Sequence, residues 1–443
     1  MVNAIYSSRE GQSFLETESQ ALSVLDADAS PCSFEAAKRA KGLGFASAVS
    51  GTLVLTNTVL GGSGLLGMPA AVAKAGYAFG LLLMVLFASC SAFGCHLLQC
   101  SARRIGQAPC SFYTVSNAVA PQWTWLIDSA VMIKCFGVAT SYLIIVGDLA
   151  PPALSFFGLR QLHRWEVILF AFGVAGSLTC CKNLSGLRFT AAGSVVIVAW
   201  TIVLIVLFVF QPSEAFEPCG HPGHLEDLPC GGGEVKAVDL SEPLALGKAL
   251  PVFIFGFTCQ QNIFSVCNEV RNTTPQRMNG IITGAYCISF VALSSAAIFG
   301  YLTFGPQLKS DVLKDYPQNA VVAFTSLLYS MLAVFSYPLQ IHPSRASALA
   351  LMNLVRPSEG AHRWAAVTLL ELVGSLLIAI TVMDLGKILG VVGATGSTMV
   401  SYILPGIVYV QTFRDFHLRR SLALGQLILG CIIMPVCLVL LFL

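Results

Sequence analysis

Residues Ser47 to Ala71 read SAVSGTLVLTNTVLGGSGLLGMPAA. The run is long enough to cross a bilayer, yet it is broken in the middle. Gly61-Gly62-Ser63-Gly64 sets three glycines within four residues, and Gly67 and Pro69 follow. In hydrocarbon a helix gives up its hydrogen bonds only where something else takes them up. A break at mid-depth therefore marks backbone that can face a ligand, and the stretch predicts half of a substrate site in a secondary transporter.

Composition supports a membrane setting. The 443 residues are 55% hydrophobic and only 11% charged, against about 25% charged in an ordinary soluble protein. The net charge of +2 says little, because charge distribution matters more than its sum in a membrane protein. Lys and Arg are spread between apolar runs, which argues against nucleic acid as a partner. Most of the fifteen cysteines lie inside apolar runs, where Cys is a small buried hydrophobe. No His and Cys set has zinc spacing. No cofactor is expected, and no span carries the nucleophile–base pair of an enzyme.

The chain divides into a polar segment 1–45, expected as a disordered cytosolic tail, and a membrane domain 46–443. Eleven spans are predicted near 47–72, 77–101, 123–147, 165–181, 189–211, 247–268, 279–304, 318–341, 362–383, 386–410 and 421–443. Residues 109–121 are too short and polar to cross and read as an interfacial helix. With the N-terminus cytosolic, Lys and Arg favour the cytosolic side by roughly two to one, which predicts N-in and C-out. The loop 212–246 then lies on the far side. It holds Cys219 and Cys230, which an oxidising compartment would allow to bridge.

Span six, from Pro251 to Val270, reads PVFIFGFTCQQNIFSVCNEV. Gly256 is followed by Phe257 and by the polar or small run Thr258-Cys259-Gln260-Gln261-Asn262. A polar face packed on neighbouring helices would explain one such span. Two interruptions five spans apart point instead to a site between inverted repeats. Repeat one would cover about 46–211 and repeat two about 247–412, with an extra helix at about 420–443. The half-helix starting near Gly64 offers free N–H groups and a positive dipole end to a carboxylate. Carbonyls freed at both breaks would accept from an ammonium group. Leu60, Gly61, Gly62, Ser63, Gly64, Phe257, Thr258, Cys259 and Gln260 are thus the candidate substrate residues, and the fitting ligand is a zwitterionic α-amino acid.

Four further stretches carry a family resemblance. Asn57 to Pro69 (NTVLGGSGLLGMP) resembles the first-span motif of the amino acid/auxin permease family. That family includes the sodium-coupled neutral amino acid transporters and the fungal vacuolar amino acid transporters. Lys134 to Asp148 (KCFGVATSYLIIVGD), Tyr337 to Arg345 (YPLQIHPSR) and Gly390 to Ser397 (GVVGATGS) with Leu404-Pro405-Gly406 are similar to its third, eighth and tenth spans. The resemblance runs from about 45 to 443. It implies an all-α, LeuT-type fold of 5+5 inverted repeats with an eleventh helix. It also implies transport of small neutral or polar L-amino acids, coupled to Na⁺ or H⁺. In the family pattern Asn57, the Leu60 carbonyl and Ser336 belong to a Na⁺ site between spans one and eight; interhelical hydrogen bonding is the alternative. Many relatives have Cys-His in the sixth-span break, whereas this chain has Cys259-Gln260, which removes an imidazole.

Lys134 lies well inside span three, where a buried ammonium marks function or a partner. Depth predicts Glu371 as that partner, with Asp128 the alternative; an unpaired Lys134 would stand in for a coupling cation or carry a proton. Asp148 and Asp384 are expected as solvated caps. Glu269 with Arg271 and Arg277 could close a cytosolic gate. A monomer in a vacuole- or lysosome-like membrane, or in the plasma membrane, is expected. The rival reading is a non-transporting amino acid sensor of the same fold.

Overall fold

The computed structural model describes residues 31–61, 63–159, 162–180, 188–213, 216–218, 235–355 and 361–443. Regular structure there is helical, apart from one isolated parallel bridge between Ala46 and Val270. Gly62, Cys219 and Cys230 lie outside the described residues, and so does the expected disulfide.

The helices follow the predicted order. α1 is Pro31–Ala40, and the first span is split into α2 (Ala48–Leu60) and α3 (Gly64–Ala75). Span two is α4 (Tyr77–Ile105), α5 is the short Phe112–Val119, and span three is α6 (Thr124–Phe156). Then come α7 (Arg164–Cys180) and α8 (Arg188–Phe210). Span six is split into α9 (Pro243–Gly256) and α10 (Ile263–Glu269). α11 (Pro275–Phe304), α12 (Ala320–Val355) and α13 (Ala361–Thr381) follow. Span ten runs through α14 (Leu385–Val392), two π-helical turns and α15 (Leu404–Thr412), and α16 is Leu418–Phe442. Among the described residues nine helices are long and apolar enough to cross a membrane, ten when α2 and α3 count as one bent span. α7, at 17 residues, sits where span four was expected. The chain is a multi-span membrane protein.

The core is built on α6 and α12, which form the most extensive helix pair. α6 can be buried around most of its circumference because its middle, Val138 to Val146, is small or aliphatic apart from Tyr142 and almost free of exposure. α5 lies across the sequence predicted as interfacial. Its start is fixed by a reciprocal cap between Ser111 and Thr114, which satisfies helix-end donors that nothing else would.

The tail departs from expectation. Residues 31–40 are not disordered but form α1, which docks on the C-terminal end of span six. Pro31 opens the helix, where its missing N–H costs nothing. Phe34 and Lys38 share one face at i, i+4 spacing and are buried. Lys38 Nζ donates to the Val270 carbonyl (2.6 Å) and pairs with Glu35 (3.1 Å). Glu35 accepts in turn from Thr273 N at 2.8 Å. Ala46 N and O bond to Glu269 O and Arg271 N at 2.7 and 2.9 Å. The expected gate pair of Glu269 with Arg271 or Arg277 is absent among the described residues; Lys38 fastens this end instead. Removing one partner of a buried charged hydrogen bond costs about 1–3 kcal/mol. Lys38→Ala should therefore loosen α1, read as faster chymotrypsin cleavage at Phe34 and Phe45 in the native protein; cleavage at the wild-type rate would refute the latch.

On the opposite side, the described end of the long loop docks beside the turn between spans one and two. Asp239 N donates to Ala75 O, and Tyr77 N and Ala78 N donate to Lys236 O and Ala237 O, all within 2.9–3.1 Å.

Candidate substrate site

The two breaks meet. A Cβ placed on Gly64 would lie 3.1 Å from the Gly256 Cα. The N-terminus of α3 thus abuts the C-terminus of α9, with no side chain between them. α2 and α3 are bent by 56° at the first break. Ser63 stands before α3, and no side chain caps the helix start, which leaves its first N–H groups for a ligand. The two interruptions, far apart in the sequence, thus lie side by side.

The first break is held by span three. Ser63 Oγ and Ser141 Oγ share a hydrogen bond of 2.8 Å, and Tyr142 OH donates to the Gly61 carbonyl at 3.2 Å. Neither Ser141 nor Tyr142 was singled out from sequence, although both fall in the third-span motif. A hydroxyl in an apolar run reads the same whether it bonds its own helix or a neighbouring one.

The second break is more fully satisfied than expected. The Phe257 carbonyl accepts from Ser91 Oγ (2.8 Å) and Tyr286 OH (3.1 Å). Thr258 Oγ1 donates to Ile254 O and accepts from Ser401 Oγ. Cys259 Sγ lies 3.7 Å from Cys95 Sγ and 3.3 Å from Tyr286 OH. Gln260 uses both ends of its amide. Its Nε2 donates to Ser91 O and Oγ, and its Oε1 accepts from Cys259 N and Ser401 Oγ. The predicted ligand groups Thr258 and Gln260 are therefore committed to neighbours in this conformation. Gln260 ties spans two, six and ten together, a role for which a neutral amide with donor and acceptor ends is suited.

Thr56 Oγ1, Asn57 Oδ1 and both amide atoms of Gln261, close to the breaks in sequence, have no partner among the described residues, and neither has Ser397 Oγ of span ten. Asn57 Oδ1 sits directly against Gly61, 2.8 Å from where a Cβ there would be. Ser336 is buried in α12. α2, which carries Asn57 and Leu60, packs mainly on α11 and α8.

Lys134 corrects a prediction. It is 3% exposed but pairs with neither Glu371 nor Asp128. Glu371 Oε1 is taken by Ser344 Oγ at 2.6 Å, and Asp128 lies beside Ser347. Equal depth did not imply facing sides, since depth says nothing about the angle around a helix axis. Lys134 instead lies against span ten: a Cβ on Gly396 would meet Lys134 N at 2.7 Å. Cys259 of the second break is within its electrostatic reach.

Asp148 is a second correction. It is no solvated cap but a buried carboxylate bonded to Arg164 (2.8 Å) and Lys314 (3.3 Å). Asp384 does cap a helix, accepting from Gly386 N at 2.9 Å.

Comparison with known proteins fits this architecture. The family model described as "Transmembrane amino acid transporter protein" matches residues 44–443. The chain belongs to that family. The vacuolar amino acid transporter 5 of Schizosaccharomyces pombe is 33% identical over 89% of this chain and 94% of its own. The vacuolar amino acid transporter 6 of Saccharomyces cerevisiae is 29% identical over 82% of this chain and 89% of its own. The sodium-coupled neutral amino acid symporter 2 of Danio rerio is 24% identical over 86% and 79%. Among solved structures, the manganese transporter of Eremococcus coleocola aligns with a TM-score of 0.52 at 12% identity. It covers 88% of this chain and 85% of that one, a likeness of fold alone. The relatives named are transporters, and this family member is an amino acid transporter by the same membership.

Proposed function

We propose that the chain is a secondary active carrier of small neutral or polar L-amino acids, coupled to Na⁺ or H⁺. Alternating access would turn on spans one and six, in a 5+5 inverted repeat (about 46–211 and 247–412) with N-in, C-out orientation and the loop 212–246 on the far side. The observation that supports it most is the apposition of Gly64 and Gly256. It sets the uncapped start of α3, suited to a carboxylate, beside the C-terminal end of α9, whose negative dipole end suits an ammonium. Leu60, Gly61, Gly62, Ser63 and Gly64 form one wall and Phe257, Thr258, Cys259 and Gln260 the other. The side chains of Thr258 and Gln260 shape the second wall while bonded to the protein. Asn57 Oδ1, unpartnered beside Gly61, with the Leu60 carbonyl and Ser336, is the proposed Na⁺ ligand set. The carrier would work as a monomer. Two of the relatives carry the vacuole in their names, which favours the membrane of an acidic organelle.

Lys134 faces this site without an acidic partner, so its ammonium stands where a coupling cation would. A charge at membrane depth costs about 2.5–3.5 kcal/mol, so Lys134→Met should fold and reach the membrane. Its transport should show an altered dependence on Na⁺ or pH in reconstituted vesicles. Unaltered ion dependence would show that Lys134 has no part in coupling. The function itself is tested by loading such vesicles with a panel of labelled amino acids, with and without Na⁺ and a pH gradient. Failure of every amino acid to exchange would end the carrier reading.

A further inference from the structure

We infer that the loop between spans seven and eight carries a proton-binding site on the far face, formed by Asp311 and Asp315 beside Asp148 of α6. The inference rests on reading the chain as an ion-coupled carrier and names the place where the ion is taken up.

The geometry is that of a carboxylate cluster with too few hydrogen-bond donors. Asp311 and Asp315 are each 1% exposed. Asp311 Oδ1 accepts from Leu313 N at 3.1 Å, and its Oδ2 has no partner among the described residues. Asp315 Oδ2 accepts from Lys309 N at 2.9 Å, and its Oδ1 has none. Two of the three nearby cations are ion-paired to Asp148, Arg164 at 2.8 Å and Lys314 at 3.3 Å; the third, Lys309, is exposed and faces Asp315. Arg164 is further occupied by the carbonyls of Ala379, Ile380 and Val382 at the end of α13. A buried carboxylate oxygen without a donor is costly when charged, and a proton removes the cost.

The charges around Asp311 are Asp148 from α6, and Lys314 and Asp315 from its own loop. Lys309 faces Asp315. α3 packs on the same loop, and its only charged residue, Lys74, lines a cavity with Ser310 of the loop and with Lys248 and Lys387. Burial, with Asp148 and Asp315 adding repulsion, raises the Asp311 pKa to about 7 against the opposing pull of Lys314 and the Leu313 hydrogen bond. Burial likewise raises Asp315 to about 6. Because both values are raised, protonation favours the buried arrangement. Docking of the loop is strongest in acid and is lost as pH rises through about 7.

The loop is placed to pass this on. Ser310 Oγ donates to Asp384 Oδ1 of span ten at 2.7 Å, and the Ser310 carbonyl lies beside Gly67 of α3. Beneath it, Tyr329 of α12 is within electrostatic reach of both Asp311 and Tyr142. Tyr142 OH donates to the Gly61 carbonyl in the first break. The step is a simple protonation: an Asp311 carboxylate takes a proton from the far side and returns it there or passes it on.

The test uses the full chain in liposomes, with infrared difference spectra recorded while pH is stepped across the far face. The wild type should show a protonated-carboxyl band whose intensity falls about tenfold per pH unit above its midpoint. Asp311→Asn should remove that component and flatten the far-side pH dependence of amino acid uptake. Lys314→Gln, which takes away the opposing cation, should move the midpoint to higher pH. An unchanged band and pH profile in Asp311→Asn would overturn the inference, as would a wild-type band that responds to Na⁺ and not to pH. If Asp311→Asn does not fold, the direction of the Lys314→Gln shift decides. The infrared titration needs no transport, so failure of the carrier reading and failure of the proton site give different results.

Discussion

Gly64→Val is expected to lower amino acid uptake by on the order of a hundredfold while the protein still reaches its membrane, since displacement of a site by about 1 Å carries losses of that size. The Cβ alone would lie 3.1 Å from the Gly256 Cα and 3.6 Å from the Phe255 ring. Backbone cannot swing aside as a side chain can, so α3 and α9 must separate. Overpacking of this kind costs about 1–3 kcal/mol, too little to unfold a domain of this size but enough to move the two walls apart. The valine methyls would also cover the uncapped N–H groups that the carboxylate needs. Gly256→Ala is the matched comparison. Its Cβ would meet the Met68 methyl, and that flexible end can turn away. It should therefore impair uptake far less. Counterflow of labelled amino acid in vesicles, with surface labelling to confirm delivery, measures both. Full activity in Gly64→Val would mean the breaks do not form the site.

The second large effect is expected at Gln260→Leu. Leucine fills most of the same space but leaves Cys259 N–H without its acceptor and breaks the links to Ser91 and Ser401. One orphaned donor and the lost bonds together amount to about 3 kcal/mol. The thermal midpoint of the detergent-solubilised protein should fall, and uptake should fall with it because spans two and ten no longer hold the second break. Gln260→Asn keeps an amide donor and acceptor on a shorter arm, so it should lie between wild type and Gln260→Leu. Equal stability in all three would show that the amide is not the clamp.

Much of the architecture is legible in the sequence because it follows from length and local chemistry. Apolar runs set the helices, Gly61 to Gly64 and Gly256 to Gln260 set the breaks, and Ser111 with Thr114 sets the start of α5. What eludes the sequence is what depends on angle around a helix axis. Lys134 and Glu371 share a depth and do not meet. Gln260 looks like a ligand group and proves to be a cross-brace. Ser91, Tyr286 and Ser401 hold the second break, yet each is an ordinary hydroxyl in an apolar run, with no motif to announce that it bonds another span. Asp148 sits at a span end, where water is the default partner; only the fold brings Arg164 and Lys314 to it. The α1 helix carries a faint signal in Pro31, Phe34, Glu35 and Lys38, but its length is too short for periodicity to outweigh the polar composition around it.

The central claim is that the two apposed breaks recognise a zwitterion, one wall taking the carboxylate and the other the ammonium. The direct measurement is competition against labelled L-alanine uptake in reconstituted vesicles by three unlabelled compounds: L-alanine, its methyl ester and propionate. The account predicts competition by L-alanine alone, because the ester lacks the anion for the start of α3 and propionate lacks the cation for the C-terminal end of α9. Equal competition by the ester or by propionate would contradict it.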